Sequence, residues 1–129
     1  MELCVGIKGH DEVVVDETNV ARALGSGSLP VFSTPSLVVS MERAALESVQ
    51  PCLDEGMSTV GVRLEVEHLA ATPIGMTVVT DSELVAVVGR MLLFEITSHA
   101  GGELVGRCVH KRCIVDGERF MRKAEARRG

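Results

Sequence analysis

The chain has 129 residues, of which 46% are hydrophobic, only 2% are aromatic, and none is Trp or Tyr. This length suits one domain, predicted over residues 1–129, with a core built from Val, Leu, Ala and Met. The net charge of -5 and the scarcity of aromatic stacking surfaces argue against a nucleic-acid ligand.

A short strand is predicted at residues 11–15 and a brief helix at residues 17–24, before a flexible Gly/Ser loop at 25–28. The main helix is predicted at residues 35–50. Thr34 fits its N-cap and Pro35 its first helical position. Apolar residues recur along this segment with helical spacing: Leu37, Val38, Met41, Ala44, Ala45 and Val49.

After a turn at residues 54–56 the apolar period changes from 3.6 to 2. Strands are predicted at 58–69, 76–88, 91–99 and 104–115, with tight turns at 89–90 and 100–103. This order describes an α+β fold in which an antiparallel sheet wraps around one central helix. Such a sheet leaves its edges exposed, so we predict a homodimer or a dimer of dimers.

The four cysteines form neither a CxxC pair nor the spacing of a disulfide framework. Reduced thiols are typical of the cytosol, so a cytoplasmic location is predicted. No signal-peptide pattern is visible, and no apolar run approaches the roughly 20 residues that span a bilayer. We therefore expect no membrane partner.

One histidine stands in an otherwise apolar row of the first long strand. In residues 60–68 apolar and polar positions alternate, which places His68 on the same predicted inner face as Val62, Leu64 and Val66. A buried titratable group is costly without a partner. Periodicity alone leaves two interpretations open: a core histidine bonded to a backbone carbonyl, or a catalytic base.

Two residues of the main helix are candidate partners for His68. The Thr34 hydroxyl is either a simple N-cap or a nucleophile beside helix-start N–H groups that suit an oxyanion. Glu42 is either a surface carboxylate on a narrow polar stripe or a partly buried group that orients the imidazole. Together the three would form a nucleophile, base and orienter, although spacing alone does not show that they meet.

Three motifs, VFSTP at 31–35, MERA at 41–44 and HLAATPIG at 68–75, carry a family resemblance. They resemble the fluoroacetyl-CoA thioesterases, which are hotdog-fold thioesterases. The separations match without gaps, with eight residues from Thr34 to Glu42 and 26 from Glu42 to His68. The resemblance covers roughly residues 10–115 and implies the hotdog fold.

The resemblance also implies a role for each matched residue. It implies hydrolysis of an acyl-CoA, with Thr34 as nucleophile or water-positioning group, His68 as general base and Glu42 as the residue that orients it. Gly61 would bring a backbone N–H to the acyl carbonyl, and Arg112 would contact the substrate. No cofactor is implied beyond the CoA of the substrate.

The strand pattern adds two observations around Arg112. Arg112 shares a predicted face with Cys108 and His110, so it is either a functional group or a salt-bridged strand residue. Cys108, His110 and Cys113 could suggest metal ligands, but Cys113 points to the other face and no fourth ligand is evident. No metal site is predicted.

One segment departs from the family. Residues 25–30 contain no aromatic, whereas the fluoroacetyl-specific enzyme carries aromatic lid residues there. The resemblance therefore supports hydrolysis of a short-chain acyl-CoA better than it supports discrimination for fluorine. Two alternatives are an acyl-CoA hydratase or dehydratase of the same fold, disfavoured because no Asp closely precedes His68, and a non-catalytic acyl-CoA-binding module.

The C-terminal end is unusually basic. Residues 118–129 contain five Lys and Arg but only two Glu. The simpler interpretation is a solvated helix or tail. The other is a local patch for an anionic group such as a nucleotide phosphate.

Overall fold

One antiparallel five-stranded sheet curls around one long helix in the computed structural model, which describes residues 2–129. The strand order is β1-β3-β4-β5-β2, so β1 and β2 form the two edges. The elements are β1 (Lys8–Val14), α1 (Ala21–Leu24), α2 (Thr34–Val49), β2 (Met57–His68), β3 (Thr77–Val88), β4 (Met91–Ala100), β5 (Glu103–Asp116) and α3 (Gly117–Glu125). The predicted α+β architecture is confirmed.

The prediction of a helix at residues 17–24 is wrong for its first half. Only Ala21–Leu24 is helical. The Asp16 carboxylate accepts a hydrogen bond from the Thr18 N–H at 2.8 Å, and the Asn19 side chain accepts one from the Asp16 N–H at 2.9 Å. These local bonds hold the segment as a turn and compete with a helical start.

The N-cap of α2 is Ser33, so the prediction that Thr34 caps this helix is wrong. The Ser33 hydroxyl accepts a hydrogen bond from the Ser36 N–H at 3.1 Å. Thr34 and Pro35 are the first two helical residues. Because Ser33 serves the backbone, the Thr34 hydroxyl is free to interact elsewhere.

The core lies between α2 and the inner face of the sheet. Ser40 of α2 is buried, whereas Val39 is exposed. The apolar side chains of α2 pack with those of β3, β4 and β5, and the largest buried members are Phe32, Leu37, Met41, Leu84, Leu92, Phe94 and Ile96. Within residues 2–129, no helix is long and apolar enough to cross a membrane.

A β-bulge divides β2 into two halves. Odd-numbered residues face the core before the bulge, and even-numbered residues face it after the bulge. Gly61 pairs with Arg112 of β5 and Arg63 with the preceding Lys111, so Val62 is the extra residue. Val62 is 54% exposed, so its predicted place in the inner row is wrong. Before the bulge the inner positions are Thr59 and Gly61 rather than the predicted valines; after it the predicted alternation holds.

Candidate active site

Two chain segments that carry the resemblance motifs meet at one end of the sheet. The Phe32 N–H donates to the Thr72 carbonyl at 2.8 Å, and Val31 forms an isolated bridge with Pro73. Just before Thr72, the Leu69 N–H donates to the Val105 carbonyl at 2.8 Å. These backbone bonds place the start of α2 beside the end of β2.

This arrangement brings Thr34 and His68 together. Thr34 Oγ1 lies 2.8 Å from His68 Nδ1. Burial lowers the pKa of His68 from its ordinary value of 6.5, so the imidazole is neutral at pH 7. A neutral ring that accepts the Thr34 hydroxyl proton at Nδ1 carries its own proton on Nε2. Nε2 is buried and has no hydrogen-bond partner within residues 2–129.

A cleft of about 360 Å³ opens beside this pair. Small side chains, from Ala21, Ser26, Ala70 and Ala71, form much of its wall. The cleft therefore has room for a small group next to the Thr34 hydroxyl.

The start of α2 offers one backbone donor at this cleft. The Ser36 N–H is bound by the Ser33 hydroxyl, the Leu37 N–H by the Ser33 carbonyl, and Pro35 has none. Among the described residues, the Thr34 N–H is therefore the one first-turn donor of α2 that has no hydrogen-bond acceptor. One N–H, rather than the several expected from the sequence, is thus available for an oxyanion.

Glu42 does not contact His68 within one protomer; it faces Arg112. Arg112 is only 5% exposed, and its Nη1 lies 3.5 Å from Glu42 Oε2. Its Nε donates to Thr59 Oγ1 at 2.8 Å and its Nη2 to the Thr59 carbonyl at 3.0 Å. The guanidinium therefore spans from α2 to the first half of β2.

His110 completes this group, which we call the arginine cluster: Glu42, Thr59, His110 and Arg112. His110 is fully buried and its Nε2 accepts from Arg112 Nη1 at 3.0 Å. Its Nδ1 donates to the carbonyl of Arg63, just past the bulge, at 2.8 Å. Burial, with a smaller contribution from the Arg112 charge, lowers the pKa of His110, which keeps its Nε2 an acceptor.

Gly61 lies against the arginine cluster. A Cβ at this position would lie 2.7 Å from Glu42 Oε2, too close for a real contact. Any larger residue at position 61 would force the Glu42 carboxylate to move from its place beside Arg112. The predicted role of the Gly61 N–H at an acyl carbonyl stays a prediction.

The sequence does not indicate Thr59 as a functional position, and it indicates His110 only as a weak metal-ligand candidate rather than as a partner of Arg112. The bulge conceals Thr59, because strict alternation places it on the outer face. His110 carries a detectable signal, since it stands two residues before Arg112 on the same strand face.

Cys108, the one buried cysteine among the described residues, is not an activated nucleophile. Burial raises the pKa of the Cys108 thiol to about 11, so it is protonated at neutral pH. Across residues 2–129, no group of three His, Cys, Asp or Glu side chains is arranged to hold a metal ion.

The sequence profile of the fluoroacetyl-CoA-specific thioesterases matches residues 15–118. The chain belongs to this family. A curated fluoroacetyl-CoA thioesterase from Streptantibioticus cattleyicolor is 37% identical over 93 residues, which cover 72% of this chain and 67% of that protein. The predicted resemblance and the prediction of a thioester hydrolase are thereby confirmed.

Solved structures confirm the hotdog fold. A structure of the fluoroacetyl-CoA thioesterase aligns with a TM-score of 0.91 and 31% identity, covering 98% of both chains. A hot-dog-like protein from Thermanaerovibrio acidaminovorans aligns with a TM-score of 0.89 over 97% of this chain and 93% of its own; at 24% identity this match concerns the fold alone.

Proposed function

We propose that this protein hydrolyses short-chain acyl-CoA to the free acid and CoA, with Thr34 and His68 at the reacting centre. The observation that carries the proposal is the 2.8 Å contact between Thr34 Oγ1 and a half-buried imidazole whose pKa is lowered. A neutral histidine in contact with a hydroxyl is the arrangement that nucleophilic or base-assisted acyl transfer requires.

In the proposed reaction, His68 Nδ1 removes the proton from the Thr34 hydroxyl, or from a water that Thr34 holds. The oxygen attacks the thioester carbonyl carbon, and the negative charge moves to the carbonyl oxygen. The Thr34 N–H, together with the Gly61 N–H of a second copy, would stabilise this oxyanion. When the tetrahedral intermediate collapses, the C–S bond breaks and the imidazolium returns its proton to the departing CoA sulfur. If water was the nucleophile, the free acid forms in this step. If Thr34 was the nucleophile, His68 next removes a proton from a water that attacks the acyl-threonine ester; the bond from the acyl carbon to Thr34 Oγ1 breaks, the proton returns to Oγ1, and the free acid leaves.

The walls of the cleft support a short acyl group and give no means to select fluorine. The relatives are named for fluoroacetyl-CoA. In this chain Ser26 contributes to the cleft, and the loop from Gly25 to Pro30 offers no aromatic side chain to close over it. We therefore propose that acetyl-CoA and similar small esters are substrates.

We also propose that the active unit is a homodimer joined through β2. This 12-residue edge strand leaves a row of backbone groups without a partner on one side, and Val62 on it is exposed. A two-fold axis normal to the sheet would pair two copies of β2 antiparallel and keep both helices on one face. Glu42 would then act at His68 of the second copy, because within one protomer it contacts Arg112 instead.

A panel of acyl-CoA esters with detection of free thiol tests the reaction. We expect wild-type protein to release thiol from acetyl-CoA, Thr34→Ala and His68→Ala to release almost none, and all three to bind CoA. Binding without thiol release by the wild type would identify a non-catalytic module. Loss of the crotonyl-CoA double bond without thiol release would identify a hydratase.

Mixing two inactive variants tests the shared site. If Glu42 acts across the dimer, His68→Ala and Glu42→Gln combine to give one intact site in each mixed dimer. About half of the dimers in an equal mixture are mixed, so about a quarter of wild-type activity should return. No recovery, with mixed dimers verified by mass spectrometry, would place both residues in the same protomer's site or remove Glu42 from it.

A further inference from the structure

Three cations surround a pocket of about 270 Å³ at the end of β2 far from His68. We call it the cationic pocket. Arg90 reaches it from the turn between β3 and β4, and Arg119 and Lys123 reach it from successive turns of α3. Met57 and Phe120 form an apolar wall. None of these side chains takes part in the chemistry proposed above.

The three cations of the pocket lack the carboxylate partners that their neighbours have. In α3 and the short 3-10 turn that follows it, Arg122 is paired with Glu118 and Arg128 with Glu125. Within residues 2–129, no carboxylate lies within ion-pair distance of Arg90, Arg119 or Lys123. Asp116 also lines the pocket, where its carboxylate caps α3 by accepting the Arg119 N–H at 3.1 Å, so the lining holds three cations against one carboxylate. The positive charge is therefore available to a ligand.

The charge distribution of the chain favours an anionic ligand at this pocket. The whole chain has a net charge of -5, although residues 118–129 carry five cations and two glutamates. An anion is repelled by most of the surface and attracted to this end. Guanidinium and ammonium groups are the side chains that bind phosphate oxygens most strongly.

The apolar wall indicates that the anion carries a flat ring. Phe120 is 42% exposed, while the other two phenylalanines of the chain, Phe32 and Phe94, are buried. An exposed aromatic face stacks readily on a purine base. Phosphate-binding cations beside a stacking surface match a phosphorylated purine nucleotide.

Backbone hydrogen bonds hold the pocket's components in place. The Gly117 N–H donates to the Gly56 carbonyl at 2.9 Å, which fixes the start of α3 against the start of β2. The Ile114 N–H donates to the Arg90 carbonyl at 2.8 Å, which fixes the turn that carries Arg90 against β5.

We propose that the cationic pocket binds the phosphorylated adenine nucleotide of the acyl-CoA substrate; this inference rests on the proposed function. Met57 begins β2 and His68 ends it, so the two lie about 36 Å apart along a strand that rises roughly 3.3 Å per residue. In the dimer proposed above, Gly61 of one copy lies near His68 of the other, so Met57 of the first copy, four residues earlier on β2, lies roughly 13 Å further along. The pocket of one copy thus serves the Thr34–His68 pair of its partner.

Two double variants and two substrates test this proposal. Arg119→Gln with Lys123→Gln removes two pocket cations, and Arg122→Gln with Arg128→Gln removes the same charge from the same C-terminal segment outside the pocket. Each is assayed with acetyl-CoA and with S-acetyl-N-acetylcysteamine, which lacks the nucleotide.

We expect the pocket variant to raise KM for acetyl-CoA about tenfold or more, through loss of charge-assisted hydrogen bonds to phosphate, with kcat nearly unchanged. KM of the pocket variant for the truncated thioester should stay within about twofold of wild type, because that substrate has no phosphate. Both KM values of the control variant should also stay within about twofold, because it keeps all three pocket cations.

Calorimetric titration of wild type and both variants with CoA gives a readout that needs no turnover. Weaker CoA binding by the pocket variant alone supports the inference even if no thioester is hydrolysed, which would refute only the proposed reaction. Equal KM changes in both variants, or unchanged CoA affinity in the pocket variant, would overturn the inference while leaving the thioesterase activity intact.

Discussion

The Thr34–His68 pair and the arginine cluster are both polar contacts between α2 and the sheet, yet they differ in how completely they are satisfied. The pair lies where two elements end, opens on a cleft, and leaves His68 Nε2 without a partner inside the protomer. In the cluster, both His110 nitrogens and the Arg112 Nε, Nη1 and Nη2 atoms have partners. A polar pair that still has a free hydrogen-bonding group is suited to take part in a reaction. A cluster whose polar groups are all hydrogen-bonded is suited to stabilise the fold.

Replacement of His68 should produce the largest loss of activity. His68→Ala removes the base, so kcat for acetyl-CoA should fall by about 10²–10⁴-fold while the unfolding midpoint changes little. His10→Ala, which changes an exposed histidine on β1, serves as the control and should retain activity. Turnover by His68→Ala near the wild-type rate would remove the pair from the mechanism.

Replacement of Arg112 should instead produce the largest loss of stability. Arg112→Met leaves His110 Nε2 and the Thr59 groups buried without a donor, so the free energy of unfolding should fall by about 3 kcal/mol. Urea denaturation measures this effect, with Lys111→Met on the opposite face of β5 as the control. Equal stability of the two variants would show that the arginine cluster does not support the fold.

The pH dependence of activity should separate the two regions further. The reaction uses neutral His68, whose pKa is lowered by burial. The rate should therefore be flat through neutral pH and fall about tenfold per pH unit only below a midpoint under 6.5. Kinetics with S-acetyl-N-acetylcysteamine avoid titration of the CoA phosphates. A midpoint above 6.5 would contradict a desolvated His68 as the base.

The adjacent hydroxyls Ser33 and Thr34 offer the finest comparison. Ser33→Ala removes the N-cap of α2 and should lower the free energy of unfolding by about 1 kcal/mol with activity retained. Thr34→Ala should leave stability nearly unchanged and abolish thiol release. Thermal unfolding and thiol assays of both variants check this, and a loss of activity in Ser33→Ala equal to that in Thr34→Ala would show that the two roles are not separate.

Much of the fold followed from local periodicity. The long strands and α2 were placed within two residues, because alternation and helical spacing are properties of consecutive residues. The juxtaposition of Thr34 and His68 was anticipated through family spacing, and the structure supplies the contact. The cap at Ser33 was missed because Ser33 and Thr34 both fit the preference for a hydroxyl before Pro35.

The arginine cluster could not be predicted in the same way. Its geometry depends on a bulge at Val62, and pairing between β2 and β5 sets that bulge rather than any local motif. The partner of Glu42 likewise depends on the position of Arg112, 70 residues away in the chain. Long-range register, not local pattern, decides which polar groups meet.

The extra residue in β2 also locks the alignment of this strand. The half before Val62 turns Thr59 inward, and the half after it turns Leu64 and Val66 inward, so the two halves obey opposite parities. Deleting Val62 would force one half to reverse: either Thr59 would leave Arg112, or the charged positions Arg63, Glu65 and Glu67 would enter the core. If β2 slid by one residue against β5, one of its two halves would therefore lose its inward-facing contacts.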